Sequence, residues 1–461
     1  MQSKLTTPVL LGIVATIGFN LLPIIFGIGM AMNVCFVAYA ALMLLLSYGD
    51  RRVLGYAAVL TACNLANGET LLSFSFLMAV LAIVKEFLGL GQAIRKLKAH
   101  RWWYLYLVAF LLIGLSAIVW ITDLRMAATE GKRALSYLGY LVVLPLAVGL
   151  TIRTLQDGIR VVSLLSLMSV ALLGWFYFLG KSGIEINTSL NVTDETLVVY
   201  RQIGQAFLNF NRTQVCIVLA ALAVGSLPLT VDISLNLRAA PFYFASGVCF
   251  FMIVQLASIA SAFAMVCGMA VVFWGSITTS RSLRRILFAL LIFSLVGGVI
   301  YLAAFQIETA LSTRVYEKAA TGGIDRREFW EAGIKYILDA PFGGGWILTM
   351  QENSGHSDFL IFLSSYGWLT GLLYIAATGR LFLSLLRVLI RQRDTIPQSR
   401  ILLLVGMASI TVYTVNSILD MLSANIGYFQ TVWALILTSA TTVAVTGAAK
   451  VGTYRSDGST G

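Results

Sequence analysis

Apolar residues fall along this chain in blocks near the ~20-residue length that spans a hydrocarbon core, and short polar stretches separate them. The blocks run at about 9–29, 31–48, 53–67, 70–88, 102–121, 134–150, 161–180, 213–230, 241–257, 259–276, 286–305, 359–379, 401–419 and 427–447. Several are short or abut their neighbours, so the pattern predicts roughly 12 to 14 transmembrane helices. Helices are expected because a backbone inside a bilayer must satisfy its own hydrogen bonds. The ~10-residue alternating strands of an outer-membrane barrel are not seen in the sequence. The fold class expected is all-α: a polytopic membrane helix bundle in which residues 1–461 form a single integral membrane domain. Lys4 before an apolar run imitates a signal peptide, but no small-residue cleavage pattern follows and further spans come at once. The first helix is expected to be retained.

Composition agrees with that pattern. The chain is 59% hydrophobic and 11% charged, whereas soluble domains carry about 25% charged residues. A net charge of +11 raises nucleic acid as a partner, but in a membrane protein the placement of charge matters more than its sum. With the N-terminus in the cytoplasm, the inside loops hold Arg51 and Arg52, the cluster Arg95, Lys96, Lys98 and Arg101, then Arg281, Arg284 and Arg285, and the run from Arg380 to Arg400. Most acids fall on the other side, so orientation accounts for the basic balance and no nucleic-acid partner is implied. All five cysteines (Cys35, Cys63, Cys216, Cys249, Cys267) lie in or beside apolar stretches without a CxxC pair, which reads as reduced packing residues.

Two outer segments exceed what a simple connection needs: a periplasmic loop at 181–212 and a large periplasmic loop at 306–358. Residues 448–461 form a cytoplasmic tail, and the chain after Lys450 reads as an unstructured end. The large loop contains "GIDRREFWEAGIKYILDAPFGGGW", which carries its own helix signals. Asp325 with Glu328 makes a capping-box-like start, Phe329, Trp330, Gly333, Ile334, Ile337 and Leu338 form one face, and Pro341 stops the helix. This amphipathic helix is expected along the outer membrane surface or over the mouth of the bundle, with Glu331 and Lys335 paired on its wet side. Gly343, Gly344 and Gly345 then permit a tight turn or close approach to a ligand. As a phosphate loop the run is weak, since no GK[ST] follows.

Next comes "SGHSDFLIFLSSYGWLTG", where an apolar helix begins just after His356 and Ser357 or Asp358 is a natural N-cap. His356 then stands at the positive end of a membrane helix, which disfavours the imidazolium and leaves a neutral ring able to accept a proton. The alternative is a residue that only caps the helix or faces water.

From Arg201 to the end of the helix after His356, the chain resembles the O-antigen ligase and polymerase superfamily of GT-C-type membrane glycosyltransferases. The ligase pattern is a His followed by Asn, Ser or Gln, nine residues, a Gly, two residues, then Gly, Thr or Val. Here His356, Ser357, Gly367 and Thr370 match it, in the long outer loop before a late helix. The upstream "R..FW" helix followed by "DAPFGGG" also looks like the family's loop. One departure is "ASIASAFA", around Ser258 to Ala264, where many members carry a Thr-x-Ser-Arg turn.

The resemblance implies an undecaprenyl diphosphate-linked glycan donor, a lipid A-core acceptor, His356 as general base and outer arginines on the diphosphate. A guanidinium binds phosphate oxygens bidentately, so outer-side arginines suit that role. It is carried over to Arg201 and Arg212, which flank "QIGQAFLNFN", to Arg314 in "LSTRVYEK", and to Arg327. The alternative for each is pairing with a nearby acid or lipid headgroup, most directly for Arg327 beside Glu328 and Glu331. His100 lies in the inside basic run "RKLKAHRWW" and reads as an interface residue. No clustered His, Cys or carboxylate set and no Asp-x-Asp pair is present in the sequence, so neither a metal nor any cofactor is expected. The function expected is that of an inner-membrane ligase moving a preassembled glycan onto lipid A-core. The alternatives are an O-antigen polymerase or protein O-oligosaccharyltransferase with the same donor, or a lipid or glycan transporter.

Overall fold

Each apolar block that falls within the described residues is helical in the computed structural model, and no strand occurs among those residues. The structure describes residues 3–26, 29–50, 52–62, 74–87, 135–152, 154–181, 212–231, 239–256, 258–279, 324–345, 357–391, 397–422 and 426–456, with scattered positions in 131–133, 287–302 and 312–316. In chain order the helices are α1 (Ser3–Phe26), α2 (Gly29–Leu46), α3 (Arg52–Thr61) and α4 (Phe74–Phe87). A π-helical turn (Gly139–Val143) leads into α5 (Leu144–Thr151), followed by α6 (Leu155–Lys181), α7 (Arg212–Val231), α8 (Ala240–Gln255) and α9 (Ile259–Thr279). The last are α10 (Ile324–Asp339), α11 (Asp358–Arg391), α12 (Pro397–Leu419) and α13 (Ile426–Ser456).

Four of these, α6, α9, α11 and α12, are long and apolar enough to cross a membrane, and most of the others carry shorter apolar stretches. Their outward faces are apolar too. Leu10 and Val14 on α1, Phe244 and Phe251 on α8, Phe263 on α9 and Leu369 and Leu372 on α11 are exposed. In water each would forfeit ~25 cal/mol per Å² of apolar area, so a bundle that is apolar inside and outside is membrane-embedded.

Lipid tails are as apolar as leucine, so close approach and hydrogen bonds draw such helices together more than apolar burial does. α12 is central, packed by α7, α9, α11 and α13. Gly268 of α9 marks a close approach to it, since a Cβ there would stand 2.6 Å from Val412 Cγ2 and 3.0 Å from Val224 Cγ1 of α7. Some interior hydroxyls are satisfied within their own helices: Ser226 donates to Leu222 O at 2.7 Å, and Ser439 to Leu435 O at 2.9 Å. At the start of α6, Thr154 and Asp157 form a capping box: Asp157 N donates to Thr154 Oγ1 at 3.1 Å. Asp157 also accepts from Tyr56 at 3.1 Å and pairs with Arg52 at 3.2 Å, tying α3 to α6.

The structure departs from the sequence pattern in three elements. The block at 134–150 is not one regular helix, because the π turn interrupts it and Pro145, which has no N–H to give Leu141, follows at once. α11 continues to Arg391, well past 379, because Leu381, Leu385 and Leu389 keep one buried stripe facing the bundle. α13 likewise runs to Ser456, through the stretch after Lys450 that reads as unstructured. Extending a formed helix through "AAK" adds a hydrogen bond per residue without a new nucleation cost.

Candidate functional site

The described residues of the ligase pattern, Ser357, Gly367 and Thr370, lie at the start and in the first half of α11. Ser357 holds the N-cap position that the sequence suggests, its carbonyl accepting from Ile361 N at 2.9 Å, but the side-chain bonds of the first residues reach another element. Ser357 Oγ donates to Ser417 O at 2.7 Å, and the fully buried Asp358 carboxylate turns to the corner that follows α12. Both of its oxygens stand 3.0 Å from Leu422 N, Ser417 Oγ donates to Oδ2 at 3.0 Å, and Asp358 N donates to Asp420 O at 3.3 Å. Tertiary contact has outcompeted local side-chain capping here because a buried carboxylate needs donors, and the α12–α13 corner supplies free backbone and hydroxyl groups that α11's own first turn would otherwise provide. Leaving one such group unsatisfied costs ~1–3 kcal/mol.

Deeper in α12, Asn416 Nδ2 bonds Val412 O at 3.1 Å and its Oδ1 accepts from Ser261 at 3.2 Å, while Ser258 donates to Ser261 Oγ at 3.0 Å. The arginine-free stretch from Ser258 to Ala264 is thereby joined to the same helix. Tyr374 of α11 and Tyr413 of α12 share a hydroxyl–hydroxyl hydrogen bond among stacked rings, with Phe362 and Tyr374 centroids 4.1 Å apart.

Gly367 breaks α11, with φ 81° and ψ 167°, a backbone region open essentially to glycine alone. The break would strand polar groups in an apolar setting, and the segment after α10 satisfies them. Gly344 N donates to Ser364 O and Gly345 N to Ser365 O, each at 3.0 Å, and Trp368 N donates to Pro341 O at 2.9 Å. Trp368 Nε1 closes α10 by donating to Ile337 O at 2.9 Å. A Cβ on Gly367 would stand 2.7 Å from Phe342 C and O, and Gly343 and Gly345 take φ of 88° and 80° to make the approach. The close approach that the three glycines permit is therefore to α11. Gly343 N is also used, donating to Ala340 O at 2.9 Å, so none of the three amides is left for a phosphate. Thr370, the last residue of the pattern, is buried one turn beyond the break.

α10 forms over Ile324–Asp339, as its signals predict, but its apolar face is divided. Gly333 and Ile337 are buried toward α11, while Ile334 and Leu338 are exposed, 51% and 62%. Docking through the glycine clasp, rather than maximal apolar burial, fixes its rotation. Glu331 does not pair with Lys335 as expected: it accepts from Arg327 Nε at 2.7 Å, and that hydrogen bond raises the pKa of the exposed guanidinium. Both partners are solvent-facing, so the pair is screened and can open.

Of the other expected site residues, His356, Arg201 and Arg314 lie outside the described residues, and Arg212 is the first residue of α7 with its side chain outside them. The structure brings Gly367 against the glycines after α10 and, separately, Ser357 against Ser417. Asp358, Ser417 and Asp420 belong to the second cluster and went unrecognised from sequence except for Asp358 as a cap. An ionisable residue flanking apolar spans is itself a signal, and Asp358 and Asp420 both carried it. Cys216 and Cys249 are buried in the core. No family model and no curated protein matches the chain.

Proposed function

We propose that the protein is a lipid-linked glycan transferase of the O-antigen ligase type. In this reading it is a bundle of roughly 12 to 14 helices in the bacterial inner membrane, with its active site toward the periplasm. The observation that carries the reading is the interlock at Gly367. Two separate segments of the resemblance, His-Ser...Gly-x-x-Thr and "DAPFGGG", meet there residue against residue, and the pattern's glycine occupies a conformation that requires glycine.

His356 accepts the proton of an acceptor hydroxyl, and the oxygen attacks the anomeric carbon from the face opposite the leaving group. The bond to the undecaprenyl diphosphate breaks with its electron pair on the departing diphosphate, and arginines from Arg201, Arg212, Arg314 and Arg327 stabilise that charge. Inversion follows, and the imidazolium returns its proton to water. The diphosphate already activates the donor, so ATP is not consumed.

Purified protein given an undecaprenyl diphosphate-linked glycan and lipid A-core should form glycosylated lipid A-core without ATP and in excess EDTA. His356→Ala should lower transfer by ~10²- to 10⁴-fold while donor binding persists. Transfer only to a second lipid-linked glycan would make the protein a polymerase. Lipid movement with no new glycosidic bond would make it a transporter and sink the reading.

A further inference from the structure

Helices α8 and α9 follow one another in the chain, yet both pack on α7 and scarcely on each other. Two helices splayed on a third leave a crevice between them, and one of about 220 Å³ lies there. Ala223 and Leu227 of α7 form its floor, Gly247 and Phe250 of α8 one wall, and Met265 and Met269 of α9 the other. Leu295 and Val299, one helical turn apart, also line it and are 59% and 41% exposed, so they mark its outward side. We propose that this crevice binds one acyl chain of a bilayer phospholipid.

The chemistry of the lining selects a hydrocarbon guest. Apart from Tyr243 and Ser246, every side chain in it is apolar, and Ser246 donates its hydroxyl to Ala223 O at 2.9 Å. Water needs about two to four polar partners to occupy a cavity, whereas dry apolar cavities of ~150 Å³ admit guests such as benzene. Left empty, the crevice would deprive its lining of dispersion contacts. Depth and continuity then select a lipid chain. Met265 and Met269 lie well inside α9, away from both of its ends, at a level that chains reach and headgroups do not. Both are flexible thioether side chains that adapt to an irregular guest. The walls also present Phe244, Phe251 and Phe263 outward, so the crevice opens from a surface that hydrocarbon already covers.

Contact with α7 separates a bound chain from lipid that merely surrounds the bundle. Every residue of α7 from Cys216 to Leu229 is buried, so lipid on the outer faces of α8 and α9 does not touch it. Gly247 offers a way to close the site. It is exposed, lines the crevice, and a Cβ added there meets nothing within 4 Å. A larger side chain at 247 therefore enters the crevice without displacing protein, and in a helix it loses nothing in propensity relative to glycine.

The test uses the full-length protein in nanodiscs of phosphatidylethanolamine and phosphatidylglycerol, part of it carrying a diazirine at the end of one acyl chain. After illumination, mass spectrometry of peptides should find label on Leu227, Met265 or Met269 as well as on the outward Phe244 and Phe251. Gly247→Leu and Val299→Trp fill the crevice from different sides. Each should abolish the label on α7, Met265 and Met269, leave the outward label unchanged, and keep a thermal midpoint at or above that of the wild type. Equal α7 labelling in the wild type and both filled variants would overturn the proposal. So would a wild type labelled only on its outward residues. Undecaprenyl phosphate, added as a minor lipid, distinguishes the source of the chain. Displacement of the α7 label in proportion to its share of the lipid upholds the phospholipid assignment, and abolition of that label makes the crevice a polyprenyl site instead. Glycan transfer is measured in none of these arms, so their outcome is separate from that of the proposed function.

Discussion

At the scale of single residues, two positions show what a sequence pattern conceals. The glycine of the His-Ser...Gly-x-x-Thr pattern is visible in the sequence at 367, but its reason is not: φ 81° with ψ 167°, and a loop backbone lying where a Cβ would be. Gly367→Ala combines backbone strain of ~1–3 kcal/mol with a contact of 2.7 Å to Phe342. It should therefore loosen the clasp before it unfolds the bundle. Hydrogen exchange at Gly344 and Gly345 should accelerate strongly while amides of α12 hold; equal protection in both proteins would remove the strain argument. Asp358 is the converse case. Its identity and place before an apolar run predict a helix cap, yet its carboxylate accepts from donors 59 and 64 positions further along the chain.

At the scale of elements, helix existence was legible and helix contacts were not. Periodicity and the capping signals predict α10 closely, since such signals depend on neighbours in the sequence. Which side of α10 faces the protein depended on the glycine clasp, an interaction with no trace in α10's own sequence. The same distinction can be measured with glycines inside spans. Gly268→Val should destabilise the protein by ~1–3 kcal/mol through overpacking, because Val412 and Val224 already crowd the position. Gly379→Ala, with nothing within 4 Å of its Cβ, should be neutral or gain up to ~1 kcal/mol in helix propensity. Thermal unfolding in one detergent, followed by intrinsic fluorescence, compares them. Equal midpoints for the two variants would mean that the α7–α9–α12 contact contributes nothing to stability.

At the scale of the whole molecule, the distribution of charge sets an expected orientation that labelling can check. A cysteine replacing Asp325 should react with an impermeant maleimide added from the periplasmic side, and one within 392–396 should react only after the inner membrane is opened. The reverse pattern would overturn the placement of the proposed active site. The sequence by itself determined that the chain is helical and membrane-embedded, because backbone hydrogen bonding in hydrocarbon and the length of apolar blocks leave few alternatives. Only the tertiary structure decided which helix lies at the centre. α11 and α12 have nearly equal mean hydropathy, yet within an apolar 18-residue stretch of each, 78% of the α12 residues are buried against 33% for α11. A bilayer is as apolar as a protein interior, so a side chain facing lipid and one facing another helix are selected alike. What distinguishes them is close approach and polar pairing, at Gly268, Asn416, Ser417 and Asp358, and those depend on partners that the linear sequence keeps far apart.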